Sequence, residues 1–132
     1  MQRHSNNDQR VAKFLASYPS IERVNYPDLP VHPQQALACR RIRSGGGMLS
    51  FVAPSGIEAA GIVLDGLKLI TRAVTFGKIR TICMHPATST HEHMTSEERE
   101  KAGIPDGLIR LSVGLEEADD IINDLQQALS DA

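Results

Sequence analysis

Apolar residues recur along this chain with two periods, and the switching between them marks out its elements. Val11, Phe14, Leu15 and Tyr18 fall at i, i+3, i+4 and i+7, the apolar face of a helix that Pro19 ends. Met1 to Gln9, before that face, are polar apart from Met1 itself. Ile21 to Tyr26 alternates and predicts a short strand closed by Pro27 and Pro30. Pro33 suits the first turn of a second helix, with Ala36, Leu37 and Ile42 as its buried side.

Ser44-Gly45-Gly46-Gly47 breaks the pattern, and Met48 to Ala53 then reads as a strand. Ser55 and Glu58 have the spacing of a capping box, opening a helix with Ile57, Ala60, Leu64 and Leu67 on one face. Ile70 to Phe76 and Ile79 to Met84 predict two β segments in a hairpin-like stretch around Gly77. Thr95 and Glu98 form a second capping box, and Gly103 and Pro105 terminate the short helix it starts. Leu108 to Val113 is the last strand. The closing helix carries Leu115, Ala118, Ile121, Ile122, Leu125, Ala128 and Leu129, and Glu116 and Glu117 suit its positive N-terminal end. The expected fold is α/β of the α+β type, a small, mostly antiparallel sheet with helices on one face. Residues 1–132 read as a single domain without internal repeats.

Composition narrows the function. The formal net charge is −2, and there is no tryptophan and few other aromatic residues. Nothing here favours nucleic acid or an anionic membrane as partner. No apolar run reaches membrane-spanning length. Cys39 and Cys83 lack metal-ligand spacing and are expected to be reduced and buried, as in a cytoplasmic protein.

Candidate chemistry concentrates on one residue. Alternation in the last strand puts Ile109, Leu111 and Val113 on one face and Leu108, Arg110 and Ser112 on the other. Arg110 then points away from the core. A guanidinium on a strand is either an ordinary solvated charge or a rigid fork that grips a carboxylate through two parallel hydrogen bonds. His85, His91, Glu92 and His93 lie close together, but without the i, i+4 spacing of helical zinc ligands or a cysteine. They read as a loop in which His85 and Thr90 bond the backbone, so no metal site is expected. Gly45-Gly46-Gly47 precedes a strand, which excludes a phosphate-cradling loop. Ser50, Ser112 and Asp65 form no nucleophile elbow or triad.

Several ordered motifs then align with a known family. Val11-Ala-Lys-Phe-Leu15, Val24-Asn-Tyr-Pro27, His32-Pro33, Leu37-Ala-Cys-Arg40 and Gly46-Gly-Met-Leu-Ser-Phe51 come first. His85-Pro-Ala87, Thr90-His91 and Leu108 to Gly114 follow in order. From end to end the chain resembles the C-terminal domain of the Cys/Met-metabolism enzymes that use pyridoxal phosphate. These include cystathionine synthases and lyases, methionine γ-lyase and homoserine-ester sulfhydrylases.

The resemblance implies the small C-terminal domain of an aspartate-aminotransferase-like, fold type I enzyme. It implies that Arg110 holds the substrate α-carboxylate. Thr75-Phe76-Gly77 stands for the family's Ser-Leu-Gly segment, which makes Thr75 and Phe76 substrate-binding candidates. Lys78 and Arg80 depart from a glycine and a glutamate common in the family. Val74 replaces the glutamate common in the cystathionine enzymes, which leans toward the methionine-lyase or sulfhydrylase branches.

The family's cofactor lysine sits in a Ser-x-Thr-Lys context, and none of Lys13, Lys68, Lys78 and Lys101 has it. No catalytic residue is therefore assigned to this chain. No pyridoxal phosphate is expected on it alone, because the chemistry needs a Schiff-base lysine. The expectation is a C-terminal fragment or split subunit that works with an N-terminal cofactor-binding partner and forms a homo-oligomer. The alternative is a free-standing, non-catalytic domain that self-associates or binds a small anion.

Overall fold

Pairing puts the last strand of the chain at the centre of the sheet. In the computed structural model, which describes residues 1–132, the strands are β1 (Arg23–Asn25), β2 (Met48–Val52), β3 (Thr71–Arg72), β4 (Ile82–Met84) and β5 (Leu108–Ser112). Their order is β1-β2-β5-β4-β3, antiparallel except for the parallel pair β3 and β4. Helices α1 (Gln2–Ser17), α3 (Gly56–Gly66) and α5 (Ala118–Leu129) pack together on one face, while α2 (Gln35–Arg41) and α4 (Ser96–Lys101) are short. The expected fold class holds.

The core follows the two periods. Val11 and Leu15 of α1, Val63 and Leu64 of α3, and Ile121 and Leu125 of α5 meet Leu49, Phe51, Ile109, Leu111 and Val113 from the sheet. Each such side chain contributes roughly 1.5–3 kcal/mol when fully buried.

Several local expectations change in the folded chain. Helix α1 begins at Gln2 rather than near Val11, because its polar first turns have work to do elsewhere. Arg3 Nε donates to the carbonyl of Leu115 at 2.9 Å, and Asn7 Nδ2 donates to those of Gly114 and Glu116 at 3.1 and 2.7 Å. His4 Nδ1 lies 2.7 Å from the carbonyl oxygen of Val113. The polar head is thus a clamp on the β5–α5 connection.

Helix α2 forms but buries nothing: Leu37 and Ile42 are 43% and 45% exposed, and Ala36 and Cys39 are exposed too. No other element reaches over to cover them. Cys83 is buried, as expected, and desolvation pushes its thiol up to about 11.

Ser55 does not cap α3. Its φ is +62° and that of Gly56 is +68°, and a capping hydroxyl needs an extended backbone at that position. The Thr95 box does form: Glu98 N–H donates to Thr95 Oγ1 at 3.2 Å, and Thr95 N–H donates to Glu98 Oε2 at 2.8 Å. Ile57 is exposed, and α3 packs through Ala59, Ala60, Val63 and Leu64.

The stretch from Ile70 to Met84 is not a hairpin. Thr71 lies opposite Ile82 and Arg72 opposite Cys83 in parallel register. Two anchors decide this. Asp124 of α5 accepts the N–H groups of Lys68, Leu69 and Ile70, each at 2.9 Å, and sets where β3 starts. Glu116 accepts Thr81 N–H at 2.7 Å and Thr81 Oγ1–H at 2.8 Å, and sets where β4 starts. Residues 73–81 cross between the anchors as an irregular loop. Glu116 therefore serves the sheet rather than the helix end, whereas Glu117 pairs with Arg3 at 2.7 Å.

Asp8 is fully buried, and neither carboxyl oxygen has a hydrogen-bond partner. Burial, assisted by the charge of Asp28, pushes its pKa up to about 8. In the unfolded chain the group titrates near 4, so folding takes up a proton between the two values. The stability this protonated carboxyl allows is complete below about pH 4 and is lost as pH rises through about 8. Urea unfolding across that window should show wild type losing on the order of several kcal/mol relative to Asp8→Asn. Parallel curves for the two proteins would refute the buried neutral carboxyl.

Candidate functional site: the Arg110 groove

The open face of the sheet is built by the same alternation that fills the core. Asn25 faces Ser50, Ser50 faces Arg110, and Arg110 faces Met84, forming one row across β1, β2, β5 and β4. Asn25 Nδ2 donates to Ser50 Oγ at 3.0 Å. This row lies along the floor of a groove of about 460 Å³ whose lining includes Leu108, Pro86, Thr90, His91 and Ile104. That volume falls in the range of small-molecule sites. A second depression of similar size, about 430 Å³, lies beside the start of α1; its lining is mostly polar, and its one guanidinium, Arg43, is exposed and shares the site with the Asp28 carboxylate.

Arg110 is half-buried and makes no ion pair with any carboxylate of the chain. Its neighbours are soft. Nη2 lies 3.6 Å from Met84 Sδ, and the guanidinium carbon is 5.8 Å from the centre of the Phe76 ring. A thioether and a ring face hold the fork in place without neutralising it. A partly desolvated, unpaired guanidinium is a receptor for an anion, and a carboxylate matches its geometry.

Phe76 thus comes to Arg110, while remaining 64% exposed on its outer side. Thr75 is exposed, makes no hydrogen bond within the chain, and lies outside the groove lining. Ser112, two residues from Arg110, accepts the N–H of Gly77 at 3.1 Å and ties the 73–81 loop to β5.

The far wall is braced from within. His85 Nε2 lies 2.6 Å from the carbonyl oxygen of Asp106, and its Nδ1 lies 2.9 Å from Thr88 Oγ1. Burial holds the pKa of His85 below the ordinary imidazole value. Arg99 donates to Asp106 Oδ1 from Nε at 3.0 Å and from Nη2 at 2.8 Å, and also bonds the carbonyl of Met94. Hydrogen bonds from Ser96 and Arg99 hold the Asp106 carboxyl below the usual carboxylate range. His85 bonds the backbone as expected, but Thr90 does not: its hydroxyl meets His91 Nδ1 at 2.7 Å. No group of three or more His, Cys, Asp or Glu side chains converges with metal-binding geometry.

The family model described as Cys/Met metabolism PLP-dependent enzyme matches residues 1–130. The chain belongs to that family. It is 49% identical over 129 residues to an L-methionine gamma-lyase of Fusobacterium nucleatum subsp. polymorphum, covering 98% of this chain and 33% of that protein. It is 44% identical over 132 residues to a cystathionine gamma-lyase of Sus scrofa, covering 100% of this chain and 33% of that protein. Its fold matches the crystal structure of a protein described as an O-acetylhomoserine (thiol)-lyase from Campylobacter jejuni, which carries a pyridoxyl-lysine phosphate group. The TM-score is 0.90 at 40% identity, covering 98% of this chain and 31% of that one. The chain therefore spans about a third of the length of the relatives it matches. The family is pyridoxal-phosphate-dependent.

The groove brings Arg110 together with Asn25, Ser50 and Met84, a row that sequence reasoning did not single out. Strand alternation carries part of that signal, since Ser50 is the polar residue between Leu49 and Phe51. Which strand pairs with which is not in the pattern.

The Arg99–Asp106 pair should matter for the wall. Asp106→Ala leaves a buried guanidinium without its carboxylate and should cost about 2 kcal/mol, discounted because Asp106 is partly exposed. The wild-type contribution is present above about pH 4 and lost as pH falls through the lowered carboxyl value. Thermal melts of both proteins at neutral and acid pH measure this. A gap that does not narrow on acidification would refute it.

Proposed function

We propose that this chain is the substrate-carboxylate-binding, C-terminal part of a pyridoxal-phosphate enzyme acting on sulfur amino acids or related γ-substituted amino acids. The observation that carries the reading is Arg110: an unpaired guanidinium on a central strand, held over a groove by Met84 and Phe76. The names of the relatives support the substrate class, since methionine, cystathionine and O-acetylhomoserine share an α-amino acid head and a γ-leaving group. In this reading Arg110 grips the α-carboxylate through two bonds and fixes the orientation of the α-carbon. Phe76 stacks against the guanidinium, and the Thr75 hydroxyl supplies a further polar contact once a neighbouring segment closes over the loop.

The chain's own donors do not fit the cofactor. Lys13, Lys68, Lys78 and Lys101 are all exposed, and none lines the groove. No amine faces the place where the carboxylate would sit, so no chemical step is assigned to these residues. The bond-making half belongs to another segment or subunit.

A second reading, a free-standing domain that self-associates, draws on the 73–81 loop. Val74, Phe76 and Ile79 are 62%, 64% and 70% exposed. Exposed apolar residues clustered on one loop favour a partner surface.

Co-expression with a segment carrying the family's cofactor lysine separates the two readings. Under the first, γ-elimination or replacement activity appears, and Arg110→Ala lowers kcat/KM by about one and a half to four decades. This corresponds to the roughly 2–5 kcal/mol lost when one partner of a charged pair is removed. Arg110→Lys should recover only part, because a point charge cannot form two parallel bonds. Active protein indifferent to Arg110→Ala would sink the assignment. No activity, together with a stable oligomer of the chain alone, would favour the second reading.

The chain by itself, treated with pyridoxal phosphate and borohydride, should label its exposed lysines diffusely and turn over no amino acid. Stoichiometric labelling of one lysine accompanied by turnover would contradict this.

A further inference from the structure

The histidine-rich tract leaves one ring without an assigned task. His85 is a buried pin between Asp106 and Thr88, and His93 is exposed. His91 is half-buried and lines the same groove as Arg110. Its backbone is held firmly. The N–H donates to the carbonyl of Pro86 at 2.9 Å, and its own carbonyl accepts from Met94 N–H at 3.2 Å and from Arg99 Nη1 at 3.4 Å. Its ring is held as well, by the Thr90 hydroxyl at Nδ1, 2.7 Å away. We assign the Thr90 hydroxyl as the donor of this contact, which makes Nδ1 the acceptor and puts the ring proton on Nε2. Nε2 has no partner within the chain. A braced ring with a free donor, in a groove that already holds an unpaired guanidinium, has the makings of a two-point receptor.

We propose that His91 is a second ligand-positioning residue of the Arg110 groove, its Nε2–H donating to an oxygen of the carboxylate that the guanidinium grips. This rests on the Arg110 reading and extends it. Guanidinium and imidazole together fix both the position of the carboxylate and the tilt of its plane. Met84 and Leu108 give the groove an apolar lining, which suits a short aliphatic chain behind the carboxylate.

Sodium butyrate is the probe, followed by NMR of the histidine-ring and arginine-side-chain signals of the full 132-residue chain, with sodium chloride at matched ionic strength as control. Butyrate should shift the His91 ring signals saturably while those of His93 stay in place. His91→Ala should weaken binding about three- to ten-fold, the range expected for one hydrogen bond, with His91→Gln recovering part of the loss. Arg110→Ala should abolish binding. If Arg110→Ala abolishes binding while the His91 ring signals do not move and His91→Ala binds as wild type, the His91 inference is wrong and the Arg110 reading stands. If wild type and Arg110→Ala bind alike, the Arg110 reading fails and this one with it. No binding by wild type overturns both.

Discussion

Everything in this domain depends on β5 being bonded on both sides. Antiparallel pairing with β2 and β4 fixes its register at every residue, and register in a sheet decides which side chains enter the core. With Ile109, Leu111 and Val113 inward, Arg110 must face outward, beside Ser50 and Met84. A slip by one residue would turn the guanidinium into the core. Both ends of the strand are locked by glycine. A Cβ on Gly107 would collide with the carbonyl of Ala53, and one on Gly114 with that of Ile79. The receptor geometry follows from how this one strand is held.

Polar side chains, more than apolar ones, settle how the remaining elements meet β5. Arg3, His4 and Asn7 bind the carbonyls just after it, Glu116 positions Thr81, and Asp124 gathers three backbone donors at the start of β3. Each satisfies backbone groups that the sheet and helices leave open, and a buried backbone group left open is costly. Asp8 is the exception, a carboxyl buried in α1 with nothing to bond. It ties the stability of α1, and with it the clamp on the β5–α5 connection, to pH between about 4 and 8.

The chemistry we propose here is recognition. In the proposed reading the groove holds and orients a carboxylate, for which it offers an uncompensated guanidinium, an imidazole and an apolar lining. It offers no lysine, and so lacks the amine on which the family's cofactor depends. The chain spans a third of its relatives' length, and the proposed carboxylate-binding role of Arg110 fits a division of labour. One segment would position the substrate and another would make and break its bonds.

What could be read from the chain alone is what local physics decides. Period 3.6 marked the buried faces of α1 and α5, period 2 marked the two faces of β5, and Thr95 with Glu98 specified its own cap, since each depends on residues a few positions apart. Arg110 was legible for the same reason, as the one charge in an alternating strand. Ser55 and Glu58 have the same spacing as the working cap, yet they fail because the chain enters α3 through two left-handed residues. Leu37 and Ile42 look like a buried face, yet no element arrives to cover them. Residues 70–84 look like a hairpin, yet Asp124 and Glu116, contributed from the far end of the chain, pull the two segments parallel. The groove, with Asn25, Ser50, Met84 and His91 around Arg110, belongs to this second class, because strand order and the bracing of a distant loop are set by contacts between residues far apart in sequence.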